Sequence, residues 1–254
     1  MNLTQDELAE FLLEKADQFE SRDFIPDDPV SIPHGYPDVA DAAMAGLFTA
    51  LIAWGNRKAI LNSAVGMMER MDHAPDQFVR QAARKEVERA FKGFVHRTFQ
   101  PQDVVVLCAG LQQALSGGRS LESLFSGGDA FSRLSSFHDL VFADMHGPHR
   151  TRKHVADPRK GSAAKRLNMY LRWMVRPAAR GVDLGLWNTM QPADLMIPLD
   201  VHTSNIGRRL GLLQRTANDW KAVEELTASL RQVDPVDPVR LDFALFGLGA
   251  IEGF

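Results

Sequence analysis

The sequence predicts an all-α fold, and three observations carry that reading. Apolar residues recur at helical spacing, as in Leu8, Phe11, Leu12 and Ala16 near the start and Val79, Ala82, Ala83, Val87 and Ala90 further on. Asp, Ser, Thr, Pro and Gly punctuate such stretches in the manner of caps and turns. The two runs that look like strands, Val104–Leu107 and Leu195–Pro198, have no alternating partner beside them, so the first is assigned to a helix and the second to an extended loop. In chain order, the pattern predicts helices over 38–54, 57–71, 102–115, 128–143, 162–177, 201–210, 217–231 and 236–249. Ser116-Gly-Gly-Arg119 and Ser126-Gly-Gly-Asp129 read as turns between helices. The least regular stretch, 146–161, reads as a surface loop and a candidate boundary between two helical lobes.

Composition narrows the class. The 254 residues are 45% hydrophobic and 24% charged, an ordinary globular balance that can bury a sizeable core. Cys108 is the only cysteine, which excludes an internal disulfide and a thiolate metal cluster. No apolar run is long enough to span a bilayer, and the acidic, amphipathic start lacks the order of a signal peptide. The expectation is a cytoplasmic protein with no membrane association and no obligate protein partner.

The net charge of −3 conceals an asymmetry. Between Arg150 and Arg180 lie ten Lys/Arg and one acid, Asp157, a local charge of +9 that leaves −12 for the rest. The first forty residues hold ten acids against Lys15 and Arg22. One strongly basic segment in a near-neutral chain predicts a face that addresses a polyanion. A plain solvated surface is the simpler alternative.

The strongest local signal opens at Gly161-Ser-Ala-Ala-Lys165-Arg-Leu-Asn-Met-Tyr. Ser162 is a suitable N-cap, which places Lys165 in the first turn, where the positive end of the helix dipole favours a neutral amine. Such an amine is a nucleophile capable of forming a Schiff base. Leu167, Tyr170, Leu171 and Met174 share the core face, with Lys165, Asn168, Met169, Arg172 and Arg176 opposite as a basic stripe. In the second element, Pro198-Leu-Asp200-Val-His202, Asp200 stands at an N-cap position, and Arg208, Arg209 and then Gly211 mark the helix end. A carboxylate held there either caps the helix or stabilises a developing cation.

Together these elements resemble the catalytic core of the helix-hairpin-helix DNA glycosylase superfamily, in which a lysine near a helix start is followed by an aspartate heading another helix. The match in pattern is to an uncharacterised bacterial family bearing G-S-A-x-K-R-L-N-M and P-L-D-x-H. Ala53-Trp-Gly-Asn-Arg-Lys58 and Asp242-Phe-Ala-Leu-Phe-Gly-Leu-Gly249 extend the likeness over most of the chain. Among enzymes of known chemistry the pattern is most similar to archaeal 8-oxoguanine DNA glycosylases, which also separate lysine and aspartate widely. The glycine-rich hairpin of the superfamily is replaced here by Pro158-Arg-Lys-Gly-Ser162, and its four-cysteine cluster is absent.

The resemblance implies a two-lobed helical fold, a DNA partner, no metal and no organic cofactor. It implies base excision with Lys165 as nucleophile and Asp200 as charge stabiliser, followed by abasic-site lyase chemistry on a base extruded between the lobes. Arg159, Lys160, Ser162, Arg166, Arg172, Arg176, His202 and Arg208 are the expected DNA contacts. Asp242 and Phe246, one turn apart on the last helix, are the expected base readers. Met169, Trp54 and Trp187 are candidate pocket walls. The competing class is a non-catalytic DNA- or RNA-binding protein that uses the same basic helix. A metal hydrolase built on Asp144, His146, His149 and His154 has the wrong ligand spacing for a zincin, and no nucleotide-binding glycine loop is present.

Overall fold

In a computed structural model, residues 4–144 and 147–254 are described, and their secondary structure is helical, with no strand among them. Two isolated antiparallel bridges, His96 with Phe99 and Ser162 with Asp219, are the only extended pairings among these residues. The chain forms two compact units. One joins the start, up to Ile25, to everything from Pro158 onward; the other is Pro26–Asp157. One of the two chain boundaries, Asp157/Pro158, falls inside the irregular 146–161 stretch; the other lies at Ile25/Pro26.

Helix α1 (Gln5–Phe19) opens with a reciprocal cap in which Thr4 Oγ1 accepts from the Glu7 amide and the Glu7 carboxylate accepts from the Thr4 amide at 2.8 Å. The second unit holds α2 (Ser31–His34), α3 (Val39–Ile52), α4 (Arg57–Arg70), α5 (Pro75–Gln81), α6 (Arg84–Ala90), α7 (Pro101–Ala114) and α8 (Ala130–Val141). Helix α3 is buried on all sides from Ala42 to Ile52, as an apolar helix must be. Helix α7 meets α8 at Gly110, where a Cβ would stand 1.9 Å from the Val141 carbonyl oxygen. The stripe from Val79 to Ala90 predicts one helix, and the structure breaks it at Ala82–Ala83. There Gln112 Nε2 donates to the Arg80 carbonyl at 2.8 Å, taking the acceptor that a continuous helix would offer to residue 84.

The first unit is completed by α9 (Lys165–Val175), α10 (Val201–Arg209), α11 (Trp220–Val233) and α12 (Leu241–Ala250). Helix α12 lies against both α1 and α10, and its glycines permit the approach. A Cβ on Gly247 would sit 2.2 Å from the Phe19 ring, and one on Gly249 would sit 3.1 Å from His202 Cβ. The Gly247-Leu-Gly249 pair is therefore a packing device. Leu195–Pro198 is extended, as expected. No helix among the described residues is long and apolar enough to cross a membrane.

Candidate active site

The loop into α9 makes a local departure from the sequence reading. Helix α9 starts at Lys165 itself, and its N-cap is Ala164 in the left-handed region at φ +47°. Ser162 is not the cap. Its Oγ accepts from the Ala164 amide at 3.2 Å, which folds the chain back before the helix begins. A left-handed alanine costs about 1 kcal/mol. Asp200 occupies the N-cap of α10, with Oδ1 accepting from the Thr203 amide at 2.9 Å. Gly211, at φ +75°, follows the end of that helix as the sequence indicates.

These two helix starts meet. Lys165 Nζ lies 3.1 Å from Asp200 Oδ2, with the lysine side chain 38% exposed and the aspartate 14% exposed. An ion pair this open contributes at most about 1 kcal/mol to stability. Asp242 on α12 lies behind the pair. Its Oδ2 accepts from Arg172 Nη1 at 2.6 Å and its Oδ1 from the Thr203 hydroxyl at 3.2 Å. Burial raises the Asp242 carboxyl to about 6; Arg172 and Lys165 oppose that shift and Asp200 adds to it.

This raised value makes a pH prediction. Between the ordinary carboxylate value near 4 and about 6, the folded state holds more protons than the unfolded one, so the stability contributed by protonated Asp242 is full below about 4 and lost as pH rises through about 6. Over that window the wild type should lose about 3 kcal/mol relative to Asp242→Asn, as measured by urea melts at pH 4 and pH 7. Parallel pH dependence in the two proteins would contradict it.

Behind Asp242 runs a buried charge ladder. Arg172 Nε reaches Asp183 Oδ1 at 3.3 Å, and Arg176 binds the other Asp183 oxygen. Arg176 also reaches Glu20 and Asp237, each at 2.8 Å, and these carboxylates hold its guanidinium cationic against burial. Arg240 joins Glu20 at 2.9 Å, and Asp17 binds both Arg240 and Arg180. Phe243 lies 4.3 Å from the Arg172 guanidinium carbon.

The basic stripe is corrected by this ladder. Arg172 and Arg176 are 4% and 3% exposed, and Asn168 is 1% exposed, so these members of the stripe are interior while Lys165 and Met169 on the same face stay part-exposed. Of the positive segment, Arg176 and Arg180 pair with the N-terminal acids Glu20 and Asp17. Arg208 is likewise engaged, donating to the carbonyls of Arg215 at 2.8 Å and Thr216 at 2.9 Å, and to Asn218 Oδ1. It clamps the loop after α10. Arg166 is part-buried, and burial pulls its guanidinium down to about 10, still cationic at neutral pH. Arg159, Lys160 and His202 are exposed, and Met169 is half-buried.

Among the expected base readers, Asp242 has both oxygens occupied by protein donors, Arg172 and Thr203. Phe246 is half-buried, edge-on to Phe24 at 6.2 Å and His202 at 6.0 Å. Trp187 is corrected from pocket wall to core ring, 4% exposed and perpendicular to Tyr170 at 5.4 Å. Trp54 belongs to the other unit, where it stacks on His154. Sequence reasoning missed Asp183, Glu20, Asp237 and Thr203. The sign that could have found Asp183 is a lone acid between apolar neighbours, Val182 and Leu184. Among the described residues, no group of three or more His, Cys, Asp or Glu is placed to hold a metal ion, and His146 lies outside those residues.

Fold and site define an all-α protein in which a lysine at one helix start is paired with an aspartate at another. The chain belongs to the family described as a protein of unknown function (DUF2400), whose sequence profile matches residues 28–251. Neither the curated proteins nor the solved structures compared with it give a match.

Proposed function

We propose that the Lys165–Asp200 pair performs base excision and abasic-site cleavage on DNA, the chemistry that the resemblance to helix-hairpin-helix glycosylases implies. The observation that carries this reading is the 3.1 Å approach of a half-exposed amine to a capped, half-buried carboxylate. The lone pair of Lys165 Nζ attacks the sugar's anomeric carbon as the glycosidic bond breaks, its electrons leaving with the base. Asp200 stabilises the positive charge that develops on the sugar and is within reach of the proton that Nζ must release. Ring opening gives an imine, loss of the C2′ proton expels the 3′ phosphate by β-elimination, and hydrolysis returns the amine. Asp242 and Arg172 hold the carboxylate side of the pair from behind. Arg159, Lys160 and Arg166 are the cations of this unit that the reading assigns to phosphate.

Borohydride reduction in the presence of an abasic duplex tests this. The wild type should give a covalent protein–DNA adduct, and Lys165→Ala should give none while binding the duplex within about threefold of wild type, since one of several phosphate-neutralising charges is lost. Binding without an adduct in either protein would favour the second reading, a non-catalytic nucleic-acid-binding protein in which Asp200 serves only as the cap of α10.

A further inference from the structure

The second unit carries a cationic, aromatic surface that the Lys165 chemistry does not use. Helix α3 ends at Ile52, and the link to α4 runs through Ala53, Trp54, Gly55 and the N-cap Asn56, whose Oδ1 accepts from the Ala59 amide at 3.1 Å. Arg57 and Lys58 are the first two residues of α4, and both are exposed. Gly55 adopts φ +100°, and a Cβ there would lie 2.5 Å from Arg97 Nη1, so the Arg97 guanidinium rests directly on this link. Arg97 itself is held at φ +54° in the short turn closed by the His96–Phe99 bridge. Two adjoining left-handed positions, one of them not glycine, fix the geometry of an exposed arginine.

The same turn brings up a third segment. Arg150 donates to the Thr98 carbonyl at 3.3 Å and to Gln100 Oε1 at 3.2 Å, and pairs with buried Asp103 at 3.2 Å, while its side chain stays 37% exposed. Beneath lies an aromatic stack. The partly exposed Trp54 lies over His154 at 5.8 Å and 27° and is perpendicular to His96 at 5.2 Å. His154 is edge-on to Phe99 at 4.7 Å. Both histidines are at most 3% exposed, and burial lowers His96 so that it stays neutral at physiological pH. Segments 53–58, 92–100 and 147–157 hold one acid, the buried Asp157, and the buried Asp103 of α7 is the carboxylate that Arg150 already pairs with.

We infer that Arg57, Lys58, Arg97 and Arg150 around Trp54 form a binding surface for a nucleic-acid strand, with phosphates on the four cations and an unpaired base against the Trp54 ring. Fixed cations beside an amphipathic ring are the combination that single strands recruit, because phosphate supplies affinity and every base has a face to stack. The inference shares a class of partner with the proposed function but does not depend on an imine at Lys165.

Trp54 reports on its own surface. The other three tryptophans, Trp173, Trp187 and Trp220, are at most 5% exposed. Titration of the full chain with an oligothymidylate at about 50 mM salt should quench tryptophan emission saturably, the affinity weakening as salt rises. Trp54→Phe should abolish the quench while fluorescence anisotropy still detects the complex. Lys58→Ala with Arg97→Ala should lower the salt slope by about one to two units, and far-ultraviolet circular dichroism should show both proteins folded. Lys165→Ala should quench as the wild type does, so the surface and the lyase reading fail separately. A quench that persists in Trp54→Phe, or none at all, would overturn the inference. So would a blue shift with anionic phospholipid vesicles in place of any response to the oligonucleotide.

Discussion

Asp183→Ala is expected to destabilise the protein by about 3–5 kcal/mol, because it leaves buried positive charge without its partner. Asp183 is 1% exposed and stands between two guanidinium groups that are themselves buried. Its removal takes a carboxylate partner from Arg172, which also binds Asp242, and one from Arg176, which also binds Glu20 and Asp237. The penalty is mostly that of positive charge left in a dry interior, since an intact buried network is itself worth little over apolar packing. Denaturant melts measure this directly, and a shift under about 1 kcal/mol would show that water reaches the ladder.

Asp200→Asn is expected to slow base release by about 10²–10⁴-fold, the usual range for a charge or proton-transfer group acting at a transition state. Asparagine caps a helix as well as aspartate does, so the melting temperature should barely change. Trapping on a preformed abasic site should fall much less, because that route bypasses departure of the base. Asp200→Ala should add a capping loss of about 1 kcal/mol, which separates the carboxylate's structural duty from its chemical one. Single-turnover release of base from lesion-containing duplexes measures the first effect. Equal rates for wild type and Asp200→Asn would reduce Asp200 to a cap.

The legible part of the fold was whatever local pattern dictates. Leu167, Tyr170, Leu171 and Met174 are all at most 2% exposed, on the face that helical spacing assigns to them. Asp200 and Gly211 bound α10 because caps and stops act over three or four residues. Lys165 and Asp200, singled out at two helix starts, lie 3.1 Å apart. What the sequence hid is long-range. Nothing near Arg172 or Arg176 reveals that Asp242, Asp237 and Glu20 pair with them, the last 156 positions from Arg176. A wheel drawn for α9 alone therefore paints buried arginines as a surface. Ser162 misleads for a different reason: it has the chemistry of a cap, but the turn at Ala164 delays the helix by two residues.

Lys165 as the covalent nucleophile is most directly tested by mapping the borohydride-reduced adduct on the wild-type protein. After nuclease and protease digestion, mass spectrometry should find the reduced sugar remnant on the peptide containing Lys165, at the head of α9, and on no other lysine. A remnant on exposed Lys160 or Lys153 instead, or no modified peptide from a duplex that the protein binds, would contradict it.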